Sequence, residues 1–211
     1  MPDPPAITIS RTLGSGGTEV GLGVARRLGW SFCDRRILRR AAEALGVPAS
    51  ALGPQEEHYC GFLDMLMNLV SFAAPEAPYQ PPPDLPVYSR ELFRVERGIM
   101  LQLARRGPSV LVGRGGFIAL RDHPAALHVK VVADTMFRAR FLVDRGKAPD
   151  LEAARRAIAA SDRERAAFIR NLSGLDWQAP GLFHLVLDTS VLGLDGCVDR
   201  IVAEARRRFP A

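Results

Sequence analysis

Lysine is almost absent from this sequence of 211 residues, in which Lys130 and Lys147 are the two lysines among 28 basic residues. The formal net charge is +5, and arginine supplies nearly all of the positive charge. A basic chain can bind nucleic acid, but zinc-finger spacing, an RRM signature and interleaved aromatic and basic residues are all missing. The planar fork of arginine suits phosphate groups. The composition therefore favours small phosphorylated ligands. A codon bias toward arginine would also place arginines at exposed positions.

Cysteine is also scarce, because the sequence contains only Cys33, Cys60 and Cys197. Their wide spacing and odd number exclude a disulfide framework and a zinc-ligand pattern, and the four histidines show no metal-ligand spacing either. We therefore expect no metal held directly by protein ligands. No apolar run approaches the roughly 20 residues that span a bilayer, and residues 1–5 do not resemble a signal peptide. These absences predict a cytoplasmic protein without membrane contact.

The pattern that is present alternates strands with helices. Short apolar runs rich in β-branched residues predict five strands, at Ala6–Ser10, Trp30–Cys33, Ser109–Val112, Leu127–Val132 and His184–Leu187. Helical periodicity predicts helices at 20–28, 35–45, 89–106, 135–145, 151–171 and 194–208. This order is typical of a doubly wound α/β fold with a parallel sheet. We predict a single domain over residues 1–211.

Residues 53–88 interrupt this alternation. Phe62–Phe72 is strongly apolar with helical character, and residues 75–86 contain six prolines in twelve positions. The segment could be a lid, a helix packed on the main domain, or a contact between identical subunits through residues 60–72. We also expect residues 135–175 to form lid-like helices.

A glycine-rich turn over residues 10–18 follows the first predicted strand and leads into the first predicted helix. Consecutive glycines allow backbone amides to converge on an anion, and the start of a helix favours negative charge. The sequence therefore predicts a phosphate-binding turn, whose binding residues are Gly14, Ser15, Gly16, Gly17 and Thr18.

This turn departs from the usual P-loop pattern G-x-x-x-x-G-K-[ST]. Gly16 and Thr18 fit the pattern, whereas Arg11 occupies the position of the first glycine and Gly17 that of the lysine. The lysine normally reaches the β- and γ-phosphates, and we hypothesise that Arg11 supplies this charge instead. The alternative is a degenerate loop that binds phosphate weakly or not at all. The dinucleotide fingerprint G-x-G-x-x-G fails because its third position is Glu19.

Four segments together resemble the cytidylate kinase-like family, a divergent relative of bacterial cytidylate kinase. They are the loop S-R-x-x-G-S-G-G, the pair Cys33-Asp34, the G-R-G of residues 113–115 and the closing segment His184–Ser190. The resemblance covers nearly the whole chain and is weakest over residues 53–88. It implies a three-layer α/β/α P-loop fold with ATP and Mg²⁺ as cofactors. A nucleotide and a small phosphorylated acceptor would be its partners.

The resemblance also implies site residues. The acceptor site would contain Asp34, Arg40, Arg97, Arg114, Asp162 and Arg165. The arginine-rich lid would contribute Arg138, Arg140 and Arg145, which would offset developing charge together with Arg11. Independently of any family, Arg11, Asp34 and Arg114 follow predicted strand ends, so we expect them in one crevice. Asp162 and Arg165 share a helix face and could instead form a surface ion pair.

Gly115 stands where cytidylate kinases carry the aspartate of G-R-D, so one acceptor contact of those enzymes is absent. Three hypotheses remain open. The first is an ATP-dependent kinase that phosphorylates a nucleoside monophosphate such as (d)CMP. The second is a non-catalytic nucleotide-binding sensor or scaffold, favoured by Gly17. The third is a nucleic-acid-binding protein, suggested by charge alone.

Overall fold

The structure is a computed structural model that describes residues 3–34, 90–113, 115–179 and 181–210. The predicted helix at 35–45, the insert at 53–88 with its possible subunit contact, Arg40 and Arg114 lie outside the described residues.

Five strands form the sheet: β1 (Ala6–Arg11), β2 (Ser31–Asp34), β3 (Ser109–Val112), β4 (Ala126–Val132) and β5 (Leu185–Asp188). The described helices are α1 (Gly17–Leu28), α2 (Arg90–Arg106), α3 (Gly116–Ala119), α4 (Thr135–Asp144), α5 (Leu151–Ser173) and α6 (Thr189–Arg208). The predicted strands agree within one residue at nearly every end. Helix α3 was not predicted, because four residues are too few to show a helical period. Helix α6 begins five residues earlier than predicted, since Asp188 caps it, and it kinks at Gly193.

The strands are all parallel, in the order β2-β3-β1-β4-β5. This confirms the predicted α/β fold with a parallel five-stranded sheet. Strand β1 is central and pairs with β3 on one side and β4 on the other. Ile7 and Ile9 are at most 1% exposed, as expected for a strand that is covered on both faces. None of the described helices is long and apolar enough to cross a bilayer.

Side chains of β1 alternate between two helical layers. Ile7 and Ile9 pack against α1 and α6, whereas Ala6 belongs to the core formed with α2, α3 and the second half of α5. A third, smaller cluster joins α4 to α5 and includes Leu13 of the glycine-rich turn. The α4–α5 hairpin therefore rests directly on that turn.

Buried polar side chains accompany the apolar core on β1 and β4. Thr8 Oγ1 is hydrogen-bonded to His128 Nδ1 at 2.8 Å, and the His128 amide donates to His184 Nδ1 at 2.8 Å. The two imidazole rings stack with centroids 5.2 Å apart. Burial, together with the smaller effect of the nearby charges of His184 and Arg208, lowers the pKa of His128 to about 4. His128 is therefore held neutral in the folded protein.

Lys130 is a second buried polar residue of β4. Its Nζ donates to the Trp177 carbonyl oxygen at 3.0 Å and to Gln178 Oε1 at 2.9 Å, and it lies 4.4 Å from the centroid of a Trp177 ring. Burial lowers the pKa of Lys130. The lysine thus anchors the segment after α5 against the sheet.

Candidate phosphate-binding site

The glycine-rich turn joins β1 to α1 at the carboxyl edge of the sheet. Its backbone is left-handed at Gly14 (φ +80°) and at Gly16 (φ +71°), a conformation that only glycine adopts without strain. Space is equally restrictive, because a Cβ atom at Gly14 would lie 2.6 Å from the Arg138 carbonyl oxygen, and one at Gly16 would overlap the Leu194 side chain. Both positions therefore require glycine for two reasons, the left-handed backbone and the lack of space for a Cβ atom.

Three carbonyl groups of the turn are held by side chains. The Thr12 carbonyl accepts from Ser15 Oγ at 2.9 Å, and the Ser15 carbonyl accepts from Thr189 Oγ1 at 2.8 Å. The Leu13 carbonyl accepts from Arg138 Nε at 2.7 Å. Donors from the turn itself, from α4 and from α6 thus fix the orientation of three peptide groups.

The amides of these peptide groups point the opposite way, because a trans peptide directs its C=O and N–H to opposite sides. The groups concerned are the N–H groups of Leu13, Gly14 and Gly16. Within the described ranges, no hydrogen bond from these amides to the protein is present. With the start of α1 beside them, these amides are donors available to an anion.

Arg11 lies beside this turn at the end of β1. Its Nε donates to Thr18 Oγ1 at 3.1 Å. A Cβ atom at Gly17 would lie 2.6 Å from the Arg11 Cβ, and one at Gly113 would overlap the Arg11 guanidinium. Arg11 is therefore seated between two glycines, one at the start of α1 and one just past β3.

The hairpin α4–α5 contacts the turn through Arg138, which also forms an ion pair within the hairpin. Arg138 donates from Nη1 and Nη2 to the two carboxylate oxygens of Asp162, each at 2.8 Å, and the Arg138 side chain is 7% exposed. The same guanidinium reaches Leu13 through Nε. Asp134 and Asp150 cap the two helices by accepting from first-turn amides. The fold brings Arg138 and Asp162 together, although the two residues were predicted to lie in different subsites.

The two other predicted lid arginines lie further along α4 and just past its end. Arg145 places its guanidinium carbon 3.6 Å from the centroid of the Phe141 ring, and its Nε lies 3.7 Å from Glu19 Oε1 in the first turn of α1. Arg140 lines a cleft of about 360 Å³, whose other lining residues are Asp134, Met136, Phe137, Phe141, Asp144 and Ser190. This cleft adjoins the glycine-rich turn, because Phe141 packs near Gly16.

The acid at the rim of this cleft remains ionised over a wide pH range. The Phe137 amide donates to the Asp134 carboxylate and lowers its pKa, and Ser190, Met136 and Arg140 act in the same direction. The cleft therefore combines two aromatic rings, one arginine and two aspartates.

The predicted acceptor residues are more dispersed. Asp34 is buried at the end of β2, beside Val112 of β3, at the same edge as the glycine-rich turn. Arg165 is half-buried on α5, one turn beyond Asp162. Arg97 is exposed on α2 and makes no hydrogen bond or ion pair with another described residue. Arg40 and Arg114 are outside the described residues, so the acceptor side stays a prediction.

Sequence reasoning assigned no role to Thr189, although it quoted the closing segment that contains it. Thr189 is 1% exposed, and its hydroxyl reaches the Ser15 carbonyl from the start of α6. Asp188 caps the same helix by accepting from the Ser190 amide at 2.8 Å. The available signal was the D-T-S triplet directly after the last strand, since strand ends meet the turn at this edge of the sheet.

Solved structures share this architecture at low sequence identity. An uncharacterized protein from Eubacterium ventriosum superposes with a TM-score of 0.69 at 14% identity, over 95% of this chain and 98% of the other. Shikimate kinase from Acinetobacter baumannii, in complex with shikimate, gives 0.52 at 13% identity over 99% and 96%. A gluconokinase from Sinorhizobium meliloti gives 0.51 at 16% identity over 98% and 94%. At these identities the likeness establishes the P-loop kinase fold alone.

No curated protein sequence matches the chain. A sequence model of the family described as "Cytidylate kinase-like family", however, matches residues 6–191. This match includes the glycine-rich turn, the α4–α5 hairpin and the closing D-T-S segment. The resemblance carried by those motifs is thereby confirmed, and the chain belongs to the cytidylate kinase-like family.

Proposed function

We propose that this protein transfers the γ-phosphoryl group of ATP to a small phosphorylated acceptor, a nucleoside monophosphate such as (d)CMP. The observation that carries this proposal is the glycine-rich turn, in which side chains hold three carbonyl groups and the amides of Leu13, Gly14 and Gly16 have no hydrogen-bond acceptor among the described residues. Phosphoryl transfer depends mainly on positioning and on positive charge around the transferred group. The turn supplies the first requirement, and the surrounding arginines supply the second.

On the donor side, Gly14 to Thr18 would cradle the phosphates of ATP. Arg11 would provide the charge of the missing lysine, since it lies against Gly17, the residue that occupies the lysine's position in the pattern. The base would enter the cleft beside α4, where Phe137 and Phe141 offer aromatic faces. Arg140 and Arg145 would offset charge that develops on the transferred group.

The turn also fits the Mg²⁺ ion that accompanies ATP. Magnesium keeps several water ligands and binds through substrate phosphates with few protein ligands. Thr18 holds the position whose hydroxyl contacts the ion in standard P-loops. The described part of the chain contains no group of three histidine, cysteine or acidic side chains that could hold a metal. The Thr18 hydroxyl, which accepts from Arg11 Nε in this structure, would be the group of the turn that holds the ion, and the ion would neutralise phosphate charge.

On the acceptor side, Asp34, Arg97 and Arg165 would bind the monophosphate together with Arg40 and Arg114. Asp34 supports this assignment most directly, because it ends β2 at the same edge of the sheet as the turn. In open α/β sheets, ligands bind at this edge.

The test is a phosphotransfer assay with purified protein, ATP, Mg²⁺ and a panel of nucleoside monophosphates, in which ADP release and the phosphorylated product are both followed. We expect one monophosphate to stimulate ADP release and to appear as the diphosphate. ATP binding without transfer to any member of the panel would contradict the proposal.

That second outcome would support a non-catalytic nucleotide sensor, which is favoured by one observation. Position 17 lacks the lysine that contacts the β- and γ-phosphates in active P-loop kinases. For a sensor, calorimetry would detect binding of ATP and ADP, and the bound ATP would not be hydrolysed or transferred.

A further inference from the structure

Thr189 connects the start of α6 to the glycine-rich turn through one hydroxyl group. Its Oγ1 lies 2.8 Å from the Ser15 carbonyl oxygen and 3.2 Å from the Val132 carbonyl oxygen. A hydroxyl has a single proton to donate, so the shorter contact to Ser15 is the dominant hydrogen bond. The side chain is 1% exposed, which keeps water from replacing this donor.

This hydrogen bond determines how one peptide group is oriented. While the Ser15 carbonyl is held toward Thr189, the amide of Gly16 in the same peptide faces away from Thr189. Gly16 has no side chain to resist rotation of this peptide, because glycine populates left- and right-handed regions about equally. Local hydrogen bonds hold the Ser15 amide and the Gly16 carbonyl, and Thr189 adds the restraint on the Ser15 carbonyl itself.

We propose that Thr189 is a positioning residue for phosphate binding, which acts by holding the Ser15–Gly16 peptide with its amide toward the anion. Thr189 does not touch the nucleotide itself. The inference rests on the proposed function only in that the turn must bind the phosphates of a nucleotide; it does not require phosphoryl transfer.

Thr8 offers a matched control in the same protein. Like Thr189, it is a threonine at 1% exposure whose hydroxyl is hydrogen-bonded in the interior. Its partner is His128, and the described residues include no side-chain hydrogen bond from Thr8 or His128 to the turn. We therefore expect removal of the Thr8 hydroxyl to affect stability without altering the orientation of the turn peptides. Loss of either hydroxyl should destabilise the fold to a similar degree.

The experiment measures the dissociation constants of ATP and of inorganic tripolyphosphate for wild-type protein, Thr189→Val, Thr189→Ser and Thr8→Val by calorimetry. We expect Thr189→Val to weaken both ligands by the same factor, about 3- to 10-fold, which corresponds to one hydrogen bond. Thr189→Ser should restore wild-type affinity, because it retains the hydroxyl. Thr8→Val should lower the melting temperature but leave both dissociation constants unchanged.

The outcomes separate this inference from the proposed function. If wild-type protein binds both ligands but Thr189→Val binds them equally well, Thr189 has no positioning role and the kinase proposal stands. The inference is also overturned if Thr8→Val weakens binding as much as Thr189→Val, because the effect is then one of stability. If binding weakens as expected in a protein that never transfers phosphate, the inference stands and the kinase proposal fails. A wild-type protein that binds neither ligand would overturn both.

Discussion

Arg11 and Gly17 lie side by side, so close that only one of the two positions can carry a side chain. A Cβ atom at position 17 would lie 2.6 Å from the Cβ of Arg11, well inside van der Waals contact. The usual P-loop has glycine at the first of these positions and lysine at the second, whereas this chain has arginine at the first and glycine at the second. The two departures from the pattern are therefore sterically linked, and under the proposed function Arg11 would be the cation beside the phosphates.

This coupling predicts the behaviour of a double substitution. Arg11→Gly alone should weaken ATP binding about tenfold or more, because a charge-assisted contact to phosphate is lost. Gly17→Lys alone should lower the free energy of unfolding by about 1–3 kcal/mol through overpacking against Arg11. The double variant should recover much of both properties. The double-mutant cycle compares wild type, the two single variants and the double variant. ATP affinity is measured by calorimetry and stability by urea unfolding. Additive effects would show that the two positions are independent.

The pairing of Arg138 with Asp162 predicts which substrate depends on Asp162. If the aspartate serves mainly to orient Arg138 on the Leu13 carbonyl, Asp162→Asn should raise the KM for ATP several-fold and change the KM for the acceptor less. The sequence-based assignment of Asp162 to the acceptor site predicts the opposite ratio. Glu152→Gln, which removes an exposed ion pair with Arg156 on the same helix, should leave both constants near wild type. Steady-state kinetics with each substrate varied in turn decides between the two roles.

Gly14 should tolerate alanine poorly for two reasons that a control can separate. Its left-handed backbone costs any other residue about 1–2 kcal/mol, and a Cβ there also meets the Arg138 carbonyl oxygen. Gly29 has a similar φ of +68° but nothing within 4 Å of a Cβ. We expect Gly29→Ala to show the backbone strain alone in chemical unfolding, and Gly14→Ala to lose more stability and also phosphate affinity. Equal losses of stability in the two variants would mean that the turn shifts away from Arg138 without cost.

Acid should destabilise the protein through His128. Because the folded pKa of about 4 lies below the ordinary value near 6.5, the unfolded chain binds the proton first as the pH falls. The stabilisation from a neutral His128 is therefore complete above pH 6.5 and is lost between pH 6.5 and 4, by about 3 kcal/mol at most. His184 contributes in the same direction, since burial lowers its pKa as well.

Urea unfolding at a series of pH values tests this effect, with His128→Gln as the comparison. The variant should be less stable than wild type at pH 7 but should lose less stability on acidification. An identical pH dependence in both proteins would assign the acid sensitivity to other groups.

The sequence alone determined the strand positions and the place of the turn. Strands buried on both faces are largely apolar, so Ser109–Val112 was predicted with the bounds it has in the structure. The glycines between β1 and α1 likewise located the turn, because few other residues adopt its left-handed backbone at Gly14 and Gly16. These features depend on local periodicity and on backbone conformation, which neighbours in sequence control.

Only the tertiary structure decided which side chains hold the turn in place. Thr189 reaches the Ser15 carbonyl across 174 positions of sequence, and Arg138 reaches Leu13 across 125. The sequence likewise could not reveal that Arg138 pairs with Asp162, nor that Arg11 excludes a side chain at position 17. These relationships arise because parallel strands bring their carboxyl ends to one edge, where residues remote in sequence meet within hydrogen-bonding distance.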